Sequence, residues 1–168
     1  YGVPANYLTL VSIVMMWSIF LYFTTLELPS SVEVGAAVLV ITAYVIFDHF
    51  DGLQAKLTRT SSPLGEWLDH FSDVFNGAIV VYLGFKCLNL SLDGRFLLLT
   101  WLNFLAFAVT YVEQRVRREL YFGKIDSLEG VVMMIFVLVL CISKSGRAFW
   151  HLEFYWPIYQ FLLASFAL

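Results

Sequence analysis

The apolar residues of this chain fall in long blocks rather than in one-sided stripes. A run of about 20 apolar residues is long enough to cross a bilayer as a helix. Short polar connections separate the blocks, and the fourth and fifth blocks are the shortest. The pattern predicts an all-α integral membrane protein, a six-transmembrane-helix bundle. Its predicted segments are Tyr7–Leu26, Val32–Phe50, Trp67–Leu88, Phe96–Tyr111, Leu128–Ser143 and Phe149–Ala167.

The organisation is that of a single membrane domain covering residues 1–168, because there is no internal repeat and no low-complexity tract. Short connections favour antiparallel neighbouring helices in one compact bundle. The first block is expected to be a membrane helix rather than a secretory signal peptide, since it is too long and no basic stretch precedes it. The two cysteines, Cys87 and Cys141, lie in different blocks and are expected to be buried free thiols.

Composition and charge support this class. Hydrophobic residues make up 60% of the chain and charged residues only 14%, against about 25% charged in a typical soluble domain. The net charge of −3 argues against a nucleic-acid partner. Lys and Arg are more frequent in the connections after the second and fourth segments, which predicts that these connections and both termini face the cytoplasm. The cations there are Lys56, Arg59, Arg115, Arg117, Arg118 and Lys124, against Lys86, Arg95, Lys144 and Arg147 on the other side.

Four aspartates lie at the joint between the second and third segments. Asp48 and Asp51 are three residues apart, and Asp69 and Asp73 are four apart, so each pair shares one helix face. Ser61 or Ser62 is expected to cap the third helix, with Pro63 in its first turn. Two antiparallel neighbours can then direct all four carboxylates to one point.

These carboxylates need compensation, because each Asp within a membrane segment costs about 3 kcal/mol. Protonation or a bound cation would supply it. Oxygen ligands without cysteine suit Mg²⁺, Mn²⁺ or Ca²⁺. Gly52, Ala55 and Gly65 lack bulk and would let a nucleotide or diphosphate approach the backbone. The alternatives are a packing device, a proton relay or an ion pathway in a transporter.

At these residues the sequence resembles the CDP-alcohol phosphotransferases, whose signature is D-x2-D-G-x2-A-R-x8-G-x3-D-x3-D. Every spacing is kept, and seven of the eight fixed positions match. Lys56 departs, since the family has Arg there, and it keeps the charge without the bidentate fork. The matching residues are Asp48, Asp51, Gly52, Ala55, Gly65, Asp69 and Asp73.

The resemblance implies a mechanism for the site. Asp48, Asp51 and Asp69 would be ligands of Mg²⁺ or Mn²⁺, and Asp73 would bridge to metal or act as the base for an acceptor hydroxyl. The small residues and Lys56 would border a CDP-linked donor, and CMP would leave. The family also implies a homodimer.

Within the family, the stretch "TSSPLGEWLDHFSD" is similar to the eukaryotic choline and ethanolamine phosphotransferases, with His70 as the informative match. Their donor is CDP-choline or CDP-ethanolamine and their acceptor is diacylglycerol. The later stretch "YFGKIDSLEGVVMM" is also similar to these enzymes and contains Glu129. The resemblance implies that Glu129 would orient His70 as a general base. Phe71 departs from that branch, and the chain is shorter than those enzymes, which favours a prokaryotic relative. The other branch, which uses CDP-diacylglycerol and a small polar alcohol, stays open.

Three further residues have two readings each. Arg115 and Arg118 would bind either anionic lipid headgroups or a substrate phosphate. Asn6 would either cap the first helix or reach the nucleotide. His49 is expected to point away from the aspartate face. The predicted protein is a multi-pass membrane enzyme whose active site faces the cytoplasm, in the inner or plasma membrane of a prokaryote or in the endoplasmic reticulum or Golgi of a eukaryote.

Overall fold

The computed structural model describes residues 5–58, 62–117 and 127–150. This part of the chain is all-helical and contains no strand, as the sequence predicts. The helices are α1 (Ala5–Thr24), α2 (Ser31–Thr58), α3 (Pro63–Cys87), α4 (Gly94–Arg117), α5 (Ser127–Cys141) and α6 (Lys144–Trp150).

Three described helices are long and apolar enough to cross a membrane: Asn6–Thr24, Ser31–Thr58 and Gly94–Glu113. The apolar part of α5 is shorter, from Gly130 to Cys141. Most of the sixth predicted segment lies outside the described residues. The membrane class therefore rests on three helices, and the count of six spans and the cytoplasmic termini stay predictions.

The helix ends at the aspartate joint differ from the sequence prediction in one respect. The prediction ended the second segment at Phe50, whereas α2 continues to Thr58. Asp51, Gly52 and Lys56 thus belong to a continuous helix rather than to a connection, because polar residues past the apolar block still form helical hydrogen bonds. The predicted start of α3 is confirmed: Ser62 caps it by accepting a hydrogen bond from the Gly65 amide at 3.1 Å, and Pro63 occupies the first turn.

The core lies between α1, α2, α3 and α5. Its fully buried side chains include Phe23 of α1, Ile41 of α2, Leu83 of α3 and Leu138 of α5. α4 packs on α3, and α6 packs on α5. Cys87 and Cys141 are buried free thiols, as expected.

Two cations fix the end of the bundle away from the aspartates. Lys86 near the end of α3 donates to the Leu26 carbonyl at 2.5 Å, in the α1–α2 connection. Arg147 of α6 donates to the Pro29 carbonyl at 2.6 Å and to the Ser31 hydroxyl at 3.2 Å. Charged side chains here close a connection by binding its backbone carbonyls, which stabilises the bundle.

Candidate active site

The site forms where the last turns of α2 meet the first turns of α3. Asp48 and Asp51 lie on the bundle-facing side of α2, three residues apart. Asp69 and Asp73 lie on one face of α3, four residues apart. Because α2 ends and α3 begins at the same end of the bundle, the two pairs face each other.

The structure brings the carboxylates together. One ligand atom from each of Asp69, His70 and Asp73 lies within 4.8 Å of the others. The carboxyl groups of Asp48 and Asp73 are within hydrogen-bonding reach of each other, and Asp48 also lies in the electrostatic field of Asp51 and Asp69. Asp51 is the most buried of the four, with 5% of its surface exposed. The other three are half-buried.

Two hydroxyl groups hold two of these carboxylates, and the sequence analysis predicted neither contact. Thr9 of α1 donates to Asp51 Oδ2 at 2.5 Å. Tyr44 of α2 donates to Asp73 Oδ1 at 2.9 Å. The signal was available for Tyr44, which precedes Asp48 by one helical turn, but nothing in the sequence pairs Thr9 with a residue 42 positions away.

His70 is anchored through its backbone by α4. Tyr111 donates to the His70 carbonyl at 2.6 Å, and the two rings lie 5.2 Å apart between centroids. One turn further along α3, the Asn103 amide donates to the Val74 carbonyl at 3.1 Å. α4 therefore fixes the position of α3 on the histidine side of the aspartates.

The two glycines have different surroundings. A Cβ on Gly65 would lie 2.7 Å from Asn6 Oδ1 and 3.2 Å from Ser62 Oγ. Gly65 therefore lets the start of α1 approach the start of α3, and Asn6 lies at the same end of the bundle as the aspartates. A Cβ on Gly52 would meet nothing within 4 Å, so α2 presents open space beside Asp51.

The remaining predicted residues lie further out or outside the description. Lys56 and Arg115 are exposed, and Ala55 is half-buried. His49 is also exposed, and its Nδ1 lies 3.2 Å from the Val45 carbonyl oxygen.

Arg118 lies outside the described residues. Glu129 belongs to α5, but the description does not extend to its side chain.

The donor set fits a divalent cation. Carboxylate oxygens from two helices converge, and one imidazole lies beside them. Within the described residues, Asp48, Asp51 and Asp73 form no salt bridge with Lys or Arg, whereas Asp93, just before α4, pairs with Arg95 at 2.6 Å. Hard oxygen ligands of this kind suit Mg²⁺, Mn²⁺ or Ca²⁺, and clustered anions need such a counter-charge.

Comparison with known proteins agrees with this geometry. An uncharacterised class-I CDP-alcohol phosphatidyltransferase family protein of Schizosaccharomyces pombe is 35% identical over 108 residues, which is 64% of this chain and 28% of that protein. Cholinephosphotransferase 1 of Gallus gallus is 35% identical over 113 residues, or 64% of this chain and 32% of the relative. CDP-diacylglycerol–serine O-phosphatidyltransferase of Encephalitozoon cuniculi is 27% identical over 124 residues, or 71% and 32%.

The matched part of the chain spans about a third of the length of these curated relatives. The family model for CDP-alcohol phosphatidyltransferases covers almost the whole chain, from residue 3 to residue 164. It includes both helices of the aspartate site and the helices that pack around them. The chain therefore belongs to the CDP-alcohol phosphatidyltransferase family.

Proposed function

We propose that this chain moves a phosphoalcohol from CDP-ethanolamine or CDP-choline to the hydroxyl of diacylglycerol and releases CMP. The observation that carries the proposal is the convergence of Asp48, Asp69 and Asp73 from two helices at the spacing of the family signature. The similarity to a cholinephosphotransferase supports the choice of donor. Family membership favours a transferase over an ion transporter.

In this proposal Asp48, Asp51 and Asp69 would hold Mg²⁺ or Mn²⁺, which would supply positive charge for the donor's diphosphate. The cation, when bound, neutralises charge on the transferring phosphate and on the leaving group. Thr9 keeps Asp51 oriented through its hydrogen bond to Oδ2. The open backbone at Gly52 leaves room for the nucleotide next to these ligands.

Asp73 then acts as the base or bridging ligand. It accepts the proton of the acceptor hydroxyl while the hydroxyl oxygen forms a bond to the phosphorus of the transferred group. The phosphoanhydride bond breaks, and CMP leaves with the bonding electron pair. Tyr44 holds Asp73 Oδ1, so the carboxylate keeps one orientation during the transfer. His70 is a second candidate base, since its ring lies beside Asp69 and Asp73; Glu129 is proposed to orient it.

The outer residues complete the proposal. Asn6, Ala55, Lys56 and Gly65 border the nucleotide, and Arg115 and Arg118 bind phosphate at the mouth. Asn6 next to Gly65 supports the first group. The active site faces the cytoplasm, and the chain forms a homodimer.

The second candidate is transfer of a phosphatidyl group from CDP-diacylglycerol to a small polar alcohol such as serine, inositol phosphate or glycerol phosphate. The similarity to a serine phosphatidyltransferase over 71% of the chain favours it. The aspartates have the same roles in both candidates, and only the lipid changes from acceptor to donor.

CMP release by the purified chain in detergent, with Mg²⁺ or Mn²⁺, tests both candidates. One arm contains CDP-choline or CDP-ethanolamine with diacylglycerol, and the other contains CDP-diacylglycerol with a panel of alcohols. Metal-dependent CMP in the first arm supports the proposal, and CMP only in the second moves the chain to the other branch.

His70→Ala should then slow transfer to diacylglycerol by about 10²-fold or more if His70 is the base; an unchanged rate would return His70 to a packing role. CMP in neither arm would contradict both candidates.

A further inference from the structure

One turn deeper than the aspartates, each helix carries one more polar side chain. Tyr44 lies four residues before Asp48, and Asn76 lies three residues after Asp73, so both share the face of the carboxylates. Tyr44 is 8% exposed and Asn76 is fully buried. The next turn down is apolar, with Ile41 on α2 and Val80 on α3 also fully buried.

Tyr44 and Asn76 are connected to the carboxylate site through Asp73. The Tyr44 hydroxyl donates to Asp73 Oδ1 at 2.9 Å. The same hydroxyl lies close to the side-chain amide of Asn76. Neither Nδ2 nor Oδ1 of Asn76 makes a hydrogen bond of good geometry with any described residue.

A fully buried amide without hydrogen bonds is costly, and buried polar groups normally have a partner. Asn76 lies on α3 between Asp73 and the fully buried Val80. We therefore expect polar ligand atoms to reach its amide from the carboxylate side. The carboxylates attract a divalent cation, and Mg²⁺ in particular keeps several of its waters when it binds to protein.

We propose that Tyr44 and Asn76 form a polar floor of this site. Tyr44 is a positioning residue that fixes the orientation of Asp73 by holding one carboxylate oxygen and leaving the other for ligand. Asn76 binds the hydration shell that the cation brings to the carboxylates, which completes its hydrogen bonding. The inference rests on the proposed metal-dependent function.

The test is Mn²⁺ binding to the purified full chain in detergent, measured by titration of free Mn²⁺ with electron paramagnetic resonance. Asn76→Leu keeps the branched shape and the number of heavy atoms of the side chain and removes the amide. Because partners of metal ligands typically contribute about 10–100-fold to metal affinity, Asn76→Leu should weaken Mn²⁺ binding by that factor. Its melting temperature without metal should stay the same or rise, since an unpaired buried amide has been removed.

Thr100→Val is the matched control. Thr100 of α4 is also a polar residue with a buried side-chain atom, Oγ1, that has no hydrogen-bond partner among the described residues. Thr100 lies 11 residues before Tyr111, which contacts His70. It is therefore about 16 Å along the helix axis from the level of His70. Thr100→Val should leave Mn²⁺ affinity unchanged. If Asn76→Leu behaves like Thr100→Val, Asn76 is a packing residue and the inference is wrong.

Tyr44→Phe tests the positioning role. It should weaken Mn²⁺ binding in the wild-type background and have no further effect in the Asp73→Asn background, because Tyr44 acts through Asp73. Equal effects in both backgrounds would contradict that role. If Asn76→Leu does not fold, Asn76→Val replaces it.

These outcomes are distinct from those of the activity test. A wild-type chain that binds Mn²⁺ without releasing CMP contradicts the proposed function but still allows the floor to be tested. A wild-type chain that binds no Mn²⁺ overturns the floor itself.

Discussion

The charged side chains at the two ends of the bundle have different kinds of neighbours. At the far end, Lys86 and Arg147 donate to backbone carbonyls of the α1–α2 connection, and Asp93 pairs with Arg95 at 2.6 Å. At the other end, carboxylates from α2 and α3 face one another, and hydroxyl groups donate to two of them, Asp51 and Asp73. The cations at the far end stabilise the connection between α1 and α2, whereas the carboxylates at the aspartate end repel one another.

This difference suggests that the charges at the far end contribute to stability and that the aspartates contribute to function. A charge that binds carbonyls of its own chain is a structural element, and its removal should lower stability. A cluster of like charges lowers stability in the free protein, so its presence is explained by what it binds. The four predictions that follow test this division from the largest expected effect to the smallest.

Asp73→Asn should reduce CMP release by about 10²-fold or more, because a general base or bridging ligand is lost. The variant should be at least as stable as the wild type without metal, since one of the repelling charges is removed. CMP release and thermal unfolding of the detergent-solubilised chain measure the two effects. A variant with wild-type turnover would remove Asp73 from catalysis.

Thr9→Val removes the hydroxyl that donates to Asp51 Oδ2 and keeps the shape of the side chain. Mn²⁺ affinity should fall by about tenfold, because outer partners orient metal ligands. Ser12→Ala on the same helix is the control, since the Ser12 hydroxyl is buried but bonds to the Thr9 carbonyl at 2.8 Å. Equal Mn²⁺ affinities in both variants would mean that Thr9 does not support the site.

Gly65→Ala should disturb the aspartate end, because its Cβ would lie 2.7 Å from Asn6 Oδ1. We expect a loss of about 1–3 kcal/mol of unfolding free energy, typical of overpacking, which Asn6→Ala should partly reverse. Gly35→Ala in α2 is the matched control, since its Cβ would meet nothing within 4 Å. That variant should gain up to about 1 kcal/mol from helix propensity. Destabilisation by both would contradict a role for the Gly65–Asn6 contact.

Lys86→Met keeps an unbranched apolar side chain one atom shorter and removes the ammonium group that binds the Leu26 carbonyl. Unfolding free energy should fall by about 1–2 kcal/mol, since the hydrogen bond involves a charged donor. CMP release per folded molecule and Mn²⁺ affinity should remain unchanged, because Lys86 lies at the opposite end of the bundle. A selective loss of Mn²⁺ affinity would break the division between the two ends.

Much of the fold followed from local pattern. The apolar blocks predicted where α1 to α5 lie, and the Ser-Ser-Pro sequence predicted the start of α3, where Ser62 caps the helix. The helix α2 is longer than the predicted apolar segment, since it continues beyond Phe50 to Thr58. Hydropathy marks the end of an apolar block, and a helix continues past it wherever the backbone can still hydrogen-bond.

The candidate site divides in the same way. Asp48, Asp51, Asp69 and Asp73 were identified from spacing alone, because residues three or four apart share a helix face. Tyr44 and Asn76 follow the same spacing and could have been found from it, but neither side chain carries a charge, so they were not selected with the aspartates. The neighbour of Gly65 was also unexpected: a Cβ at this glycine would lie 2.7 Å from Asn6 Oδ1, at the start of α1.

The sequence by itself determined the helices, the aspartate faces and the family signature, since each depends on residues within one or two turns of one another. Only the tertiary structure decided that Thr9 binds Asp51, that Tyr44 binds Asp73 and that Tyr111 binds the His70 carbonyl, across separations of 42, 29 and 41 residues. The physical reason is that helix periodicity fixes which face a residue occupies, whereas packing between helices fixes which faces meet and at what height.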